Sequence, residues 1–291
     1  MKMEPKASAD FEMIEIEDSD KPKAYAFNKL IIDEYTKLVP SKENIEKYTD
    51  LDTTTRFLLA KNFKEKQALE MWQNWRKWRI EYKVDEISEK EIENELKQGK
   101  AFFHGYDKEG RPCIVIKVKR HRPGQISVEE TIRYGVYMIE KGIRLCKEKK
   151  SDKMVVLYDR EGFVNKNFDT KLATVMKSLL KILQAFYAER LAKMYVLNPN
   201  WFYKMMFAVV KPFLDDKTKK KIVLVSKLDE LKKDFDPSQL MVEHGGTSLY
   251  QYSWPEGSKP IVDTTDDLEG DDDKEGDPEQ IKKLAEMSGF E

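Results

Sequence analysis

The chain has 291 residues, 40% of them hydrophobic, which is enough for one full domain and an accessory one. Its 52 basic and 53 acidic residues leave a formal net charge of -1, which argues against nucleic-acid binding over the whole surface but is compatible with a local basic patch. Two cysteines, Cys113 and Cys146, exclude a disulfide framework and a four-thiolate metal site and are typical of a reducing cytosol.

The first thirty residues are rich in acids and lack an apolar core run, so they do not resemble a signal peptide. Residues 1–24 are predicted to be disordered, because their few apolar side chains do not offset the entropy lost on ordering. No apolar run reaches the roughly 20 residues that a transmembrane helix needs. The chain is therefore expected to touch membranes only from the cytosolic side.

Apolar residues recur at helical spacing through much of residues 25–98. This spacing predicts helices over 25–38, near 53–60 and from 64 to 82, followed by a short polar helix over 87–98. Trp72 and Trp75 share one stripe of the third helix, which is more typical of a packed core than of a binding site. Residues 25–98 are therefore predicted to form a small helical lobe.

At Lys100 the pattern changes from helices alone to alternating strands and helices. Its elements in chain order are strand-like runs at 101–106 and 112–118, a helix over 127–149, a strand at 153–158, a second long helix over 168–187, and strands at 193–197 and 222–225. The first two runs flank a tight hairpin turn, and the later strands are continuously apolar, so both their faces are covered. The order predicts an α/β fold with a mixed, largely parallel sheet covered by helices.

The most apolar stretch of the chain spans residues 201–214 and is interrupted only by Lys204, Lys211 and Pro212. A helix without a polar face is either buried on all sides or faces lipid, and this one is shorter than the roughly 20 residues that span a bilayer. A run of mostly charged residues follows at positions 215–221. Two interpretations remain open, namely a movable apolar lid with a headgroup-binding turn at its end, or a core helix followed by a solvated turn.

The basic run at residues 217–221 has three interpretations. It is a solvated helix surface, or a membrane-facing patch in which each lysine contributes about 1 kcal/mol near an anionic bilayer. In the third interpretation Thr218 and Lys221, three residues apart on one face of a turn, hold a phosphate jointly. The last two interpretations are compatible with each other.

Patterns typical of catalysis or metal binding are missing from the sequence. The three histidines are far apart, no pair of residues has metal-ligand spacing, and neither a phosphate-binding glycine loop nor a nucleophile elbow occurs. Asp159 follows a buried strand, where α/β enzymes place catalytic groups, but it has no obvious partner and is more typical of a turn cap. The chain is therefore predicted not to be an enzyme and to need no cofactor or metal.

Acidic residues dominate the end of the chain. Between Asp263 and Glu279 ten acids stand against one lysine. Blocks of like charge repel one another and resist compaction. Residues 251–291 are therefore predicted to form an acidic, disordered tail.

Several motifs occur together in a fixed order along the chain. They are Arg56-Phe57-Leu58, the turn Asp107-Lys108-Glu109-Gly110-Arg111-Pro112, Glu189-Arg190 with Lys193 and Tyr195, Lys211-Pro212-Phe213-Leu214-Asp215, and His244-Gly245-Gly246. With these motifs, residues 53–248 resemble the CRAL-TRIO lipid-transfer family, the Sec-fourteen-like group that includes phosphatidylinositol transfer proteins and the tocopherol and retinaldehyde carriers. The resemblance implies a helical lobe packed on an α/β lobe, residues 99–250, whose hydrophobic lipid cavity lies under a gating helix. The gating helix corresponds to residues 201–214, the gating stretch.

The resemblance also implies which residues hold the lipid headgroup, namely Lys61, Glu189, Thr218 and Lys221. Lys61 stands where the family's transfer proteins usually have arginine, and lysine cannot make the bidentate contact of a guanidinium. The hydroxyl-bearing positions that bind phosphatidylcholine in the family fall near Met154 and Val156. These apolar side chains argue against binding of a choline lipid.

Apolar side chains from the strands, from the second long helix and from the gating stretch are predicted to line the cavity and its gate. They are Val155, Leu157, Met176, Leu180, Leu183, Met194, Val196, Phe202, Met205, Met206, Phe207, Val210 and Phe213. The basic residues Lys217, Lys219 and Lys220 are predicted to face the membrane.

The resemblance therefore implies a monomeric cytoplasmic protein, peripheral on membranes, that encloses one phospholipid and exchanges it at membrane surfaces through the gating helix. Phosphatidylinositol is the lipid that the headgroup residues match best. Three alternatives remain, namely a carrier of a single-chain or isoprenoid hydrophobe such as tocopherol or retinal, an adaptor that recruits partners to membranes through its acidic tail, and a lipid-modifying enzyme. The missing nucleophile and metal patterns disfavour the enzyme.

Overall fold

The computed structural model describes residues 13–41, 43–122, 124–163, 170–199, 203, 207, 211, 214–261 and 263. The helices before the sheet are α1 (Lys21–Leu38), α2 (Ile45–Thr49), α3 (Leu51–Ala60), α4 (Glu65–Glu81) and α5 (Glu93–Gln98), with short 3-10 turns at Val84–Glu86 and Glu89–Ile92. They pack around an apolar core built largely from rings. Trp72 is fully buried in it and donates from Nε1 to the Tyr48 carbonyl oxygen at 2.9 Å.

The prediction that residues 1–24 are disordered is wrong for residues 13–24. Ile14 is only 4% exposed, and its backbone N–H donates to Asp52 Oδ1 at 2.9 Å. Helix α1 begins at Lys21 and buries Ala24 completely. Burial of Ile14 and the hydrogen bond to Asp52 of α3 hold this segment in place. These are tertiary contacts, so the polar composition of the segment did not predict them. Residues 1–12 lie outside the described residues.

Within the described ranges, five strands form one sheet in the order β1-β2-β3-β4-β5. Their bounds are β1 (Ala101–Tyr106), β2 (Pro112–Lys117), β3 (Met154–Asp159), β4 (Leu191–Leu197) and β5 (Ile222–Val225). The β1–β2 pair is antiparallel and the other three pairs are parallel. This arrangement confirms the predicted mixed, largely parallel sheet.

The two faces of the sheet are covered by different parts of the chain. Helices α6 (Val128–Glu148) and α7 (Thr170–Phe186) belong to one face, where Tyr134 and Met138 of α6 pack against Ile114. The other face is covered by the segment 228–244, whose Leu231, Phe235 and Leu240 are buried in the same core as Val155 and Leu157.

This division corrects the predicted cavity floor. Val156 is paired with Met194, and Tyr158 with Val196, so these four side chains lie on the same face as α6. Val155 and Leu157 alternate with them and point to the closed core on the opposite face. They therefore do not line a space shared with Met194 and Val196. Continuously apolar strands carry no alternation that would have distinguished the two faces.

Close packing holds α6 and α7 together within the α/β lobe, and contacts from both helices join this lobe to the helical lobe. A Cβ on Gly135 of α6 would lie 2.6 Å from a methyl carbon of Leu179, so the missing side chain lets α7 approach α6. At the end of α7 the ring of Phe186 stacks on Trp78 of α4 at 4.3 Å. Nearby, Glu140 of α6 accepts hydrogen bonds from Arg79 of α4.

The prediction that residues 251–291 are disordered is wrong for residues 251–261 and 263. The ring of Tyr252 stacks on Phe102 of β1 at 5.1 Å. Asp263 accepts from Lys117 Nζ at 2.7 Å and from Arg120 Nε at 2.6 Å. Two anchors, one aromatic and one ionic, hold this segment against the sheet. Residues 262 and 264–291 lie outside the described residues.

Candidate functional site

A charged cluster lies at one edge of the sheet. Glu189 stands just before β4 and Lys221 just before β5, and because these neighbouring strands are parallel their starts meet. Glu189 Oε2 is 3.6 Å from Lys221 Nζ, and Glu189 Oε1 is 3.7 Å from Lys217 Nζ. Two cations thus flank one carboxylate, an arrangement able to bind a group that carries both phosphate and hydroxyls.

The short helix α8 (Asp216–Lys220) brings Thr218 to this cluster. Asp215 caps the helix by accepting from the Thr218 N–H at 2.8 Å and from its hydroxyl at 2.6 Å. Burial raises the pKa of Asp215, but the hydrogen bonds from Thr218 outweigh it and hold the pKa below its usual value. With its proton committed to Asp215, the Thr218 oxygen remains available as an acceptor for a ligand hydroxyl.

Lys61 ends α3, and its neighbour Asn62 reaches the cluster. Asn62 Oδ1 accepts from Lys217 Nζ at 3.3 Å. The structure therefore brings the segment of Lys61 together with Glu189, although nothing in the sequence singled out Asn62. Lys217, predicted to face the membrane, is also part of this charged cluster. Lys219 pairs with Asp216 at 3.0 Å, and Lys220 is exposed.

A buried arginine fixes the backbone behind the cluster. Arg56 is 4% exposed and donates to the carbonyl oxygens of Glu189 at 2.7 Å and Asp152 at 2.6 Å. Glu189 itself has a φ of 56°, a left-handed conformation that costs a residue with a Cβ about 1–2 kcal/mol. The hydrogen bond from Arg56 helps to hold this conformation, a role that the Arg56-Phe57-Leu58 motif alone did not reveal.

Next to the charged cluster begins an apolar face that is only partly covered by described residues. Met194 and Ile222 are half-buried, and Leu224 on the edge strand β5 is 43% exposed. On α7, Met176 and Leu180 are half-buried. Val196 is fully buried on the same face, and Leu183 packs beside Phe186 in the contact between α6, α7 and Val84.

The gating stretch lies mostly outside the described residues. Phe202, Met205, Met206, Val210 and Phe213 are among those not described. Four residues of the stretch are described, Tyr203, Phe207, Lys211 and Leu214, and the rings of Tyr203 and Phe207 stack with their centroids 5.7 Å apart. Tyr203 also lies 6.4 Å from the Tyr158 ring, which places this part of the stretch over the carboxyl end of β3 on the α6 face.

Asp159 has a buried partner that its place in the sequence did not reveal. Its Oδ2 lies 3.1 Å from His244 Nε2, and both residues are almost completely buried. Its Oδ1 accepts from the Glu161 N–H at 3.0 Å, which is the turn cap that its position indicated. Burial raises the pKa of Asp159, but the hydrogen bond and charge of His244 outweigh it and lower the pKa. The pair ties the segment 242–244 to β3.

Two features are absent from the described residues. None of their helices is long and apolar enough to cross a membrane. Nor does any group of three or more histidine, cysteine, aspartate or glutamate side chains in this part of the chain have the arrangement of a metal site.

The CRAL/TRIO domain matches residues 96–246, which is more than half of the chain. The chain belongs to the CRAL/TRIO domain family. This confirms the resemblance that the ordered motifs indicated.

Two curated relatives illustrate the similarity. The phosphatidylinositol/phosphatidylcholine transfer protein SFH7 of Arabidopsis thaliana is 32% identical over 222 residues, covering 69% of this chain and 40% of SFH7. The CRAL-TRIO domain-containing protein C3H8.02 of Schizosaccharomyces pombe is 28% identical over 210 residues, covering 69% of this chain and 46% of that protein. The chain thus spans less than half the length of either CRAL/TRIO relative.

Solved structures support the fold. The crystal structure of Sfh5 superposes with a TM-score of 0.64 at 18% identity, covering 81% of this chain and 89% of the Sfh5 chain. Together with the observed sheet, this match confirms the predicted α/β class of the CRAL/TRIO fold.

Proposed function

We propose that this CRAL/TRIO protein is a carrier that encloses one phospholipid, best matched by phosphatidylinositol, and transfers it between membranes without chemical conversion. The observation that carries the proposal is the charged cluster of Glu189, Lys217 and Lys221 at the start of a partly uncovered apolar face. Relatives named as phosphatidylinositol/phosphatidylcholine transfer proteins support the same lipid class.

The apolar face answers the main physical difficulty of moving a lipid through water. Each methylene exposed to water costs about 0.8 kcal/mol, so a two-chain lipid of about thirty methylenes costs roughly 24 kcal/mol outside the bilayer. A carrier must therefore cover the chains before the lipid leaves the membrane. The half-buried side chains Met176, Leu180, Met194 and Ile222 supply a surface for the chains, with the gating stretch as its cover.

The charged cluster suits an inositol phosphate in particular. Lys217 and Lys221 bind the phosphate, while Glu189 accepts hydrogen bonds from ring hydroxyls and Thr218 Oγ1 accepts one more. Lys61, next to Asn62 at the end of α3, is the headgroup contact proposed from the helical lobe. In the same proposal the protein acts as a cytoplasmic monomer, and Lys219 and Lys220 contact the anionic membrane surface while the gate opens.

The headgroup assignment predicts a loss of transfer when two of its residues are removed. In a Thr218→Ala/Lys221→Ala double variant, we expect phosphatidylinositol transfer between vesicles to fall roughly tenfold or more, because charge-assisted hydrogen bonds contribute about 1.5–3 kcal/mol each. Fluorescent-lipid transfer measures the rate. Lys232→Ala, a surface lysine paired with Asp229 on another part of the molecule, is the control and should leave the rate unchanged. Unchanged transfer in the double variant would refute the assignment.

The identity of the enclosed molecule is measured directly by native mass spectrometry of the purified chain. A mass increment equal to a phosphatidylinositol, released as intact lipid on denaturation, is the expected result. A bound isoprenoid would instead identify the chain as a carrier of hydrophobes such as tocopherol or retinal. Turnover of a bound ester would contradict the carrier proposal.

A further inference from the structure

A cavity lined by both charged and apolar side chains lies where the helical lobe meets α6 and the end of α7. Its volume is about 300 Å³, and its walls include Trp75 and Arg79 of α4, Arg144 of α6 and Phe186 of α7. Pockets that hold small ligands start at roughly this volume. None of the residues assigned to the headgroup or to the lipid cavity lines it, so it is a separate space.

The charge of this cavity is unbalanced. Its six cationic side chains are Lys47, Arg56, Arg79, Arg144, Lys147 and Arg190. Its two carboxylates are already engaged, because Glu140 accepts from Arg79 at 2.6 Å and from Tyr187 at 2.6 Å, while Asp85 pairs with Lys47 at 2.6 Å and with Arg79. The carboxylates therefore compensate Arg79 and Lys47 alone.

Four cations remain without a carboxylate within 4 Å among the described residues, namely Arg56, Arg144, Lys147 and Arg190. Two of them are shielded from water at atoms that have no hydrogen-bond partner, Nε of Arg56 and Nη1 of Arg190. Burial, and next the charge of Arg190, lower the pKa of Arg56 to about 9, so it is still protonated at neutral pH. Two guanidiniums thus repel each other in a shielded place.

Buried cations without compensation are costly, and proteins ordinarily pair them or bind an anion there. Guanidinium groups favour phosphate in particular, because their N–H donors match its oxygens in pairs. We propose that this cavity is a second binding site, for a small phosphate-bearing anion or the phosphorylated headgroup of a lipid.

The site is distinct from the charged cluster although the two are adjacent in sequence. Glu189 turns toward Lys217 and Lys221, whereas the next residue, Arg190, lines the cavity. Arg56 connects them, because it lines the cavity and donates to the Glu189 carbonyl oxygen. A ligand bound here therefore touches the support of the headgroup site without occupying it.

Thermal unfolding of the full chain tests the proposal with two probes. Sodium pyrophosphate, compared with sodium chloride at equal ionic strength, should raise the melting temperature saturably by roughly 2–4 °C. Vesicles of phosphatidylcholine with and without phosphatidylinositol 4-phosphate form the second arm. A rise with pyrophosphate identifies a soluble anion, and a rise with the phosphorylated lipid alone identifies a headgroup.

Three variants locate the effect. Arg190→Gln, and Arg144→Gln at the exposed mouth of the cavity, should each lose at least half of the anion-induced rise in melting temperature. Lys141→Gln is the control, because Lys141 is exposed on α6 and does not line the cavity, and this variant should keep the full rise. Arg190→Gln should not lower the melting temperature without anion, since it removes an uncompensated charge; if this variant does not fold, Arg144→Gln decides.

Absence of any rise with both probes, or an equal rise in the cavity variants, would overturn the proposal. Lys221→Ala separates the two sites, because it should impair lipid transfer yet leave the pyrophosphate effect intact.

Discussion

Replacing Asp263 with asparagine is expected to lower the free energy of unfolding by about 3–5 kcal/mol, the usual result when one partner of a buried ion pair is removed. Asp263 accepts from Lys117 and Arg120 and lies 3.0 Å from Lys119 Nζ. These three cations are only 3%, 8% and 7% exposed, and without the carboxylate two of them lose their only ion-pair partner among the described residues. Urea unfolding followed by circular dichroism measures the change.

Asp216→Asn is the matched control, because its carboxylate pairs with Lys219 but is 89% exposed, and it should change stability by less than about 1 kcal/mol. Equal effects of the two substitutions would contradict the buried anchor.

The same carboxylate predicts how the stability depends on pH. Burial raises the pKa of Asp263, but the bonds from Lys117 and Arg120 outweigh it and lower the pKa well below the usual 3.8. A lowered pKa means that the stabilisation is fully present above the pKa of the unfolded chain and is lost as the pH falls below it. The difference between Asp263→Asn and the unchanged chain should therefore shrink below about pH 4, as titration of the unfolding free energy would show. A pH-independent difference would be inconsistent with this pairing.

The contact between the lobes predicts the second large effect. Arg79 is 4% exposed, and its two terminal nitrogens lie 2.6 and 3.2 Å from the carboxylate oxygens of Glu140. Glu140→Gln keeps the shape but removes the charge, so we expect a loss of about 3 kcal/mol, at the low end of such changes because Asp85 still pairs with Arg79. Urea unfolding measures it.

Glu148→Gln on the same helix is exposed and should stay within about 0.5 kcal/mol of the unchanged chain. If Glu140→Gln were equally neutral, Arg79 would not depend on the pair that joins α4 to α6.

The elements of the fold were predictable because their signals are local. Helical spacing located α1, α3 and α4, and the Asp107-Lys108-Glu109-Gly110 turn located the β1–β2 hairpin. Continuous apolar runs identified the three parallel strands. Their two faces could not be distinguished, since a strand covered on both sides lacks the alternation that marks an exposed face. This is why Val155 and Leu157 were assigned to the wrong face.

The residues of the charged cluster were predictable only through the order of motifs. That order selected Glu189, Thr218 and Lys221, and the structure brings the segments of all three to one edge of the sheet. The contact of Lys217 with Glu189 was not predictable. Residues 217–221 are four lysines and one threonine in a row, and the sequence does not show which of these side chains faces Glu189, a residue distant along the chain. Asn62 had no signal of its own.

The sequence by itself determined which segments become helices and strands, the membership of the CRAL/TRIO family and the polar residues that gather before β5. These follow from periodicity and motif order, which act over neighbouring residues. Only the tertiary structure decided that Asp263, a residue of the predicted acidic tail, forms an ion pair with Lys117 of β2. It also decided that Arg56, Arg144 and Arg190 line one cavity. Long-range charge compensation depends on which side chains share a buried space, and that is settled when distant segments pack.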